Sequence, residues 1–365
     1  MTTIVLLNSY SMRRAFDLWR AGRSQAHHVW GFAALAAAPD LDVRFDDAEA
    51  PVSGFDRWLA RLPLPHNVRL QLGYLLRYRR VDAVYAATYS VARLLGLARV
   101  LKLFRPRVIA LAHFPLRPGL IDRLALRGVD RLLFLCHATE QAVLKDFPGV
   151  RARASYLGWA ADLDFYADAR RLRAQRPAAE AGQLHIIAAG KDNRDYQTLV
   201  EGFAQVPGPL LVDLFCARDC APVVADSRVQ VHGADSVSNP LPIQALLKHY
   251  AQADVMAIPL LPVGRVAGLT SLIDAMALGM PVLCTRNPGL DIDIEAIGCG
   301  LWVDVGDASA WARAIARLPR ERATLDAMGE LGVKFAAQHL DMAAYSAQVE
   351  RIVRGVLGMA EAPRS

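Results

Sequence analysis

Short apolar runs alternate with stretches of helical period along the whole chain. In the first half, residues 4–7, 83–86, 108–112, 132–135 and 154–157 are strand-like runs of the kind buried on both faces of a sheet. Between them, residues 28–38, 90–103 and 138–146 are amphipathic at helical spacing. Such alternation predicts a parallel sheet wound with helices on both faces. Residues 168–182, polar, rich in Arg and Ala and containing Pro177, interrupt the pattern and read as a linker. It restarts with strand-like runs at 184–189, 210–216, 229–231, 254–258, 282–284 and 301–303, and helical ones at 196–204, 242–252 and 269–278. The expected fold class is therefore α/β, with two doubly wound, Rossmann-like domains over residues 1–167 and 183–340. A last helical stretch, 342–357 within the tail 341–365, is long enough to reach back across the linker.

In doubly wound sheets, ligands bind beyond the carboxyl ends of the strands. Two loops there carry candidate chemistry. Residues 264–282, GRVAGLTSLIDAMALGMPV, follow an apolar run and open a helix that Gly279 and Pro281 end. Gly268, Thr270 and Ser271 stand where that helix begins. Free backbone N–H groups, the positive end of the helix dipole and two small hydroxyls suit an anion. Asp274, one turn inside, is placed to accept hydrogen bonds from a sugar diol. Alone, the stretch reads equally as a capped amphipathic helix packed on a sheet. Residues 188–203, AAGKDNRDYQTLVEGF, follow the first strand of the second domain, with Gly190 at the strand exit and Lys191 and Arg194 in the loop. Two cations facing a helix amino end clamp a diphosphate, Arg bidentately and Lys as a point charge. On their own, they are also ordinary solvated loop cations. No GxGxxG follows either first strand, and GxxxxGK[ST], GxSxG and HExxH are absent, which disfavours dehydrogenase, P-loop, hydrolase and zinc-protease readings.

These stretches resemble the retaining, nucleotide-sugar-dependent glycosyltransferases of the GT-B fold, glycosyl transferases group 1 or family 4-like. GKDNRDYQTLVEGF is similar to that family's glycine, cation, cation and helix segment, HYAQADVMAIPL to its strand before the donor loop, and AGLTSLIDAMALGMPVLCT to its most specific signature. GCGLWVDVGDASAWARAI resembles its closing strand and helix, and YLGWAADLDFY the end of its first domain. The resemblance implies two domains facing a cleft, with a C-terminal helix crossing back to the first. It also implies transfer of a sugar from a UDP- or GDP-sugar to a carbohydrate or lipid-linked acceptor in bacterial glycan synthesis, with retention of configuration. Lys191 and Arg194, beside Gly190, would hold the diphosphate and stabilise the leaving group. Gly268, Leu269, Thr270 and Ser271 would meet the phosphates, and Asp274 the ribose hydroxyls, where the family usually has Glu. The family's other Glu, eight residues earlier, is here Val266, so sugar contact would fall to the backbone of 267–269 or to Arg265. His232, Gly233 and Ala234, in the run 232–236, would hold the nucleobase by backbone groups. His113, at a strand end, would act near the sugar and acceptor. Gly22, Arg23 and Ser24, with His27 and His28, would line the acceptor side. The alternatives are a GT-B nucleotide-sugar epimerase, an inverting transferase, and a non-catalytic nucleotide-sugar-binding partner, which the Val266 departure keeps open.

Composition narrows the remaining readings. Hydrophobic residues at 53% and charged residues at 21% fit a globular chain rather than a disordered one. Every apolar stretch is interrupted before it could span a bilayer, and the start lacks the layout of a signal peptide. Five cysteines, an odd number in mostly apolar surroundings, suit reduced thiols in a cytoplasm. Cys216 and Cys220 have no second pair with which to build zinc, and 291–293 reads as a solvated turn rather than a metal-binding DxD. With two cations on the diphosphate, neither a metal nor another cofactor is expected. The net charge of +6 is concentrated between residues 57 and 107, with eleven Arg or Lys against Asp82 alone. That stretch suits docking on an anionic membrane face and reads equally as solvated arginines of an arginine-rich chain; no nucleic-acid-binding module accompanies it.

Overall fold

The computed structural model describes residues 1–49, 54–176, 183–234 and 242–360. The chain divides into two compact units, Met1–Trp159 with Met342–Ser365, and Ala160–Asp341.

Unit 1 holds a six-stranded parallel sheet of β1 (Thr2–Leu7), β2 (Leu41–Phe45), β3 (Ala83–Ala86), β4 (Arg107–Ala112), β5 (Arg131–Phe134) and β6 (Ala154–Tyr156). The spatial order is β2-β1-β3-β4-β5-β6, so the winding reverses between β1 and β3. Its helices are α1 (Met12–Arg20), α2 (Phe32–Leu35), α3 (Gly54–Leu59), α4 (His66–Arg77), α5 (Arg93–Val100), α6 (Leu120–Arg127) and α7 (His137–Asp146). All four residues of β3 are buried, as a strand covered on both faces requires. α5 and α6 meet backbone to backbone: a Cβ on Gly128 would stand 2.0 Å from the carbonyl oxygen of Gly96. Only glycine permits that approach.

Unit 2 repeats the plan with β7 (Leu184–Ala189), β8 (Leu210–Ala217), β9 (Val229–Ala234), β10 (Val255–Ile258), β11 (Val282–Thr285) and β12 (Gly300–Val303), ordered β12-β11-β10-β7-β8-β9. Its winding reverses between β7 and β10. Its helices are α8 (Ala167–Ala174), α9 (Tyr196–Ala204), α10 (Ile243–Gln252), α11 (Leu269–Leu278), α12 (Ile294–Ile297), α13 (Ala308–Arg317) and α14 (Arg322–His339). The last helix, α15 (Met342–Leu357), packs on unit 1, where Arg354 grips Asp40 through both carboxylate oxygens at 2.6 and 3.0 Å.

Three sequence expectations need correction. The expected linker is a helix as far as Ala174, and Arg173 and Arg176 are buried in unit 2; residues 177–182 lie outside the described ones. The division between units accordingly falls after Trp159 rather than at 167. The helix expected over 28–38 is a 3-10 turn, Ala26–Val29, followed by the short α2. Trp30 and Gly31 separate them, both in the left-handed region at φ 55° and 77°. Finally, the edge strand β2 and helices α1, α4, α6 and α14 were not foreseen.

Candidate functional site

The loops after β7 and β10 leave adjacent strands at the point where unit 2 reverses its winding, the place where a parallel sheet opens a crevice. Backbone hydrogen bonds join them: Asp195 N–H donates to the Pro259 carbonyl at 3.2 Å and Leu261 N–H to that of Asn193 at 3.1 Å. Asp195 also caps α9 by accepting from Thr198 N–H at 3.2 Å. Arg194 is therefore held by backbone on both sides. Its Nη2 donates to the Ser271 hydroxyl, in the first turn of α11, at 2.8 Å, and its Nη1 to the Asp192 carbonyl at 3.0 Å. Its buried Nε has no hydrogen-bond partner. Gly190 makes room for it: φ is 156°, and a Cβ there would stand 2.5 Å from that Nε. Lys191 is exposed in the same loop.

Gly268 begins α11 in the left-handed conformation, φ 77°, packed on Ile258 and Leu260, and no side chain caps the helix. Its amino end is thus open, with Leu269 buried, Thr270 exposed and Ser271 half-buried. Arg265 Nη2 donates to Asn193 Oδ1 at 2.5 Å, and Asn287 Nδ2 donates to the Arg265 carbonyl at 3.2 Å. Val266 is half-buried beside it.

Asp274 lies deeper than the sequence suggests. It is buried, and accepts a 2.5 Å hydrogen bond from the Tyr166 hydroxyl. Burial pushes its carboxyl up to about 7, with the tyrosine pulling in the opposite direction. Tyr166 was missed because its only signal, an aromatic in YLGWAADLDFY, looks like core. Behind α11, Arg173 of α8 donates to the carbonyls of Gly279 and Asp254 at 3.2 and 2.8 Å and to that of Ala253, while Arg170 reaches that of Ala277 at 2.7 Å. α8 therefore grips the carboxyl ends of α10 and α11, although burial lowers the Arg173 pKa to about 9.

His232 is engaged by its side chain as well. Its Nε2 donates to Asp213 Oδ1 at 2.6 Å, while His185 Nε2 donates to Oδ2 of the same carboxylate at 2.6 Å. Burial raises the Asp213 carboxyl, but these two hydrogen bonds outweigh it and leave the pKa below its usual value. Phe215 stacks on His232 at 4.4 Å. Gly233 and Ala234 finish β9, and residues 235 and 236 of the expected nucleobase run lie outside the described ones.

In unit 1, His113 follows β4, and its Nε2 donates to the Ala87 carbonyl at 2.6 Å, so Nδ1 is left as the acceptor. Burial lowers its pKa. Trp30 lies edge-on to it at 5.3 Å and edge-on to Trp159 at 4.9 Å. Gly22, expected on the acceptor side, ends α1 at φ 65°: its N–H donates to the Trp19 carbonyl, and that of Arg23 to the Leu18 carbonyl, both at 2.8 Å. Ser24 turns its hydroxyl toward Gln25 at 3.5 Å. His28 is half-buried against His27, whose two ring nitrogens are buried without partners; burial holds His27 neutral. No group of His, Cys, Asp or Glu among the described residues is arranged to hold a metal ion.

Two parallel-sheet, Rossmann-like units with the strand orders above define the GT-B class. A sucrose-phosphate synthase from Thermosynechococcus elongatus superposes with a TM-score of 0.68 at 16% identity, covering 98% of this chain and 100% of that one. HepE of Anabaena, solved in complex with UDP-glucose, superposes at 0.65 and 14% identity, covering 97% and 100%. Residues 159–321 match the family described as Glycosyl transferases group 1. A D-inositol 3-phosphate glycosyltransferase of Corynebacterium jeikeium is 37% identical over 99 residues, 27% of this chain and 23% of that protein, so the alignment spans under a quarter of the relative. Together these matches support the group 1 glycosyltransferase family, of GT-B type.

Proposed function

We propose that the protein transfers a sugar from a nucleotide diphosphate sugar to a carbohydrate or lipid-linked acceptor, with retention and without a divalent ion. The observation that carries this reading is Arg194, bonded to Ser271 at the uncapped amino end of α11 with a further N–H buried and unpaired. A diphosphate oxygen supplies the acceptor which that N–H lacks, and the open helix end supplies the donors a second phosphate needs. Lys191, in the same loop, adds a second positive charge as the leaving group gains negative charge. Asp274 takes the ribose only if Tyr166 yields or shares its hydrogen bond, because the shorter side chain ends inside the unit. His113, fixed by Ala87, offers Nδ1 to an acceptor hydroxyl. HepE's complex with UDP-glucose supports a nucleotide-sugar donor. The test is incubation with UDP- and GDP-sugars and glycan or lipid-linked acceptors, with the product anomer read by NMR. Transfer with retention and in the presence of a chelator is expected; an inverted product or strict metal dependence contradicts the reading.

A further inference from the structure

Unit 1 holds a cavity at the edge of its sheet opposite His113. α6 leads into β5, and α7 leads from β5 toward β6, so the carboxyl ends of both helices lie beside the amino ends of those strands. His113, by contrast, follows β4 at its carboxyl end. The two helix ends and the 3-10 turn Pro148–Arg153 bound a cavity of about 370 Å³, a size that encloses small molecules.

Three arginines and one aspartate line it, an excess of positive charge. Arg153 is already committed: its Nη1 donates to the Leu126 carbonyl at 2.9 Å and to that of Val129. It thereby meets the negative end of α6. Arg123 and Arg127, four residues apart, share one exposed face of that helix. Neither they nor Asp146 make a side-chain hydrogen bond or ion pair among the described residues. Leu126, Phe147 and Val150 are buried and give the cavity an apolar floor. Gly149 keeps the lining open. Its φ lies outside the left-handed region and a Cβ there would meet nothing within 4 Å, so neither backbone nor packing calls for glycine.

We propose that this cavity is a ligand site separate from the one for sugar transfer, and that it takes a soluble sugar phosphate. The phosphate meets Arg123 and Arg127, hydroxyl groups donate to Asp146, and the C–H face of the sugar ring lies on the apolar floor. A bare phosphate leaves Asp146 and the floor unused, and a free sugar leaves the arginines unused. Occupancy of the cavity does not depend on sugar transfer.

The test is titration calorimetry of the full chain with glucose 6-phosphate, inorganic phosphate and glucose. Saturable binding of glucose 6-phosphate is expected, roughly ten-fold or more tighter than that of phosphate or glucose. Arg123→Gln and Arg127→Gln each weaken it roughly ten-fold. Gly149→Trp, which fills the opening, abolishes it, and Arg194→Ala in unit 2 leaves it unchanged. Arg123, Arg127 and Gly149 are exposed, so thermal melting of the three variants without ligand stays as in the wild type and separates a lost site from a lost fold. No binding of glucose 6-phosphate, or phosphate binding as tight as that of glucose 6-phosphate, overturns the proposal. Wild-type affinity in Gly149→Trp or in both arginine variants also overturns it, and moves the ligand to another part of the molecule.

Discussion

Arg194 and Gly190 form one device. The guanidinium lies across the glycine backbone, so a methyl group at 190 occupies space the arginine needs. Lys191→Ala and Arg194→Ala are each expected to lower turnover by roughly 10²-fold or more, as loss of a preorganised charge partner does. Gly190→Ala should approach the effect of Arg194→Ala while the unit stays folded, and steady-state rates with far-UV circular dichroism check both. Asp274 makes a prediction of another kind. Its folded pKa, about 7, lies above the ordinary 3.8, so the folded state holds the proton more tightly than the unfolded chain does. Stability from this group is full below about pH 4 and is lost as pH rises through about 7. Asp274→Asn should remove that part of the pH dependence, as read by thermal melting across this window. Tyr166→Phe, which deletes the hydrogen bond that lowers the pKa, should shift the loss to higher pH.

α11 depends on α8 for its placement. Arg173 occupies carbonyls at the carboxyl ends of α10 and α11, and Arg173→Met leaves them buried without donors. Each such group costs about 1–3 kcal/mol, so a loss of roughly 3 kcal/mol in urea unfolding is expected. Elements of this sort were the hardest to read. β3, β4 and β7 were legible because strands buried on both faces leave unbroken apolar runs. α11 was legible from its glycines and periodic leucines. β2, an edge strand with Asp42 and Arg44, carries no such run. α8 resembled a linker because Arg170 and Arg173, polar in the sequence, spend their donors on carbonyls of the unit. That Lys191 and Arg194 share one loop was legible, whereas the Tyr166 contact with Asp274, 108 residues away in sequence, has no local trace.

In the whole molecule, the residues proposed to hold the diphosphate, Gly190, Lys191, Arg194, Gly268 and Ser271, all belong to unit 2. A nucleotide diphosphate should therefore raise the unfolding temperature of unit 2 and leave that of unit 1 unchanged, by about 2.7 kcal/mol of added stability at a hundred times Kd. Differential scanning calorimetry of the full chain reads the two transitions. The repeated doubly wound plan was visible from hydrophobic period alone, but the position of the division was not, since residues 160–174 belong to unit 2 and are fastened there by Arg170 and the buried Arg173, which composition disguised. Titration calorimetry of UDP and GDP against wild type and Arg194→Ala tests the proposed diphosphate site most directly. Saturable binding of at least one nucleotide, weakened roughly ten-fold or more by the substitution, is predicted; equal affinity in the two proteins, or no binding by the wild type, contradicts it.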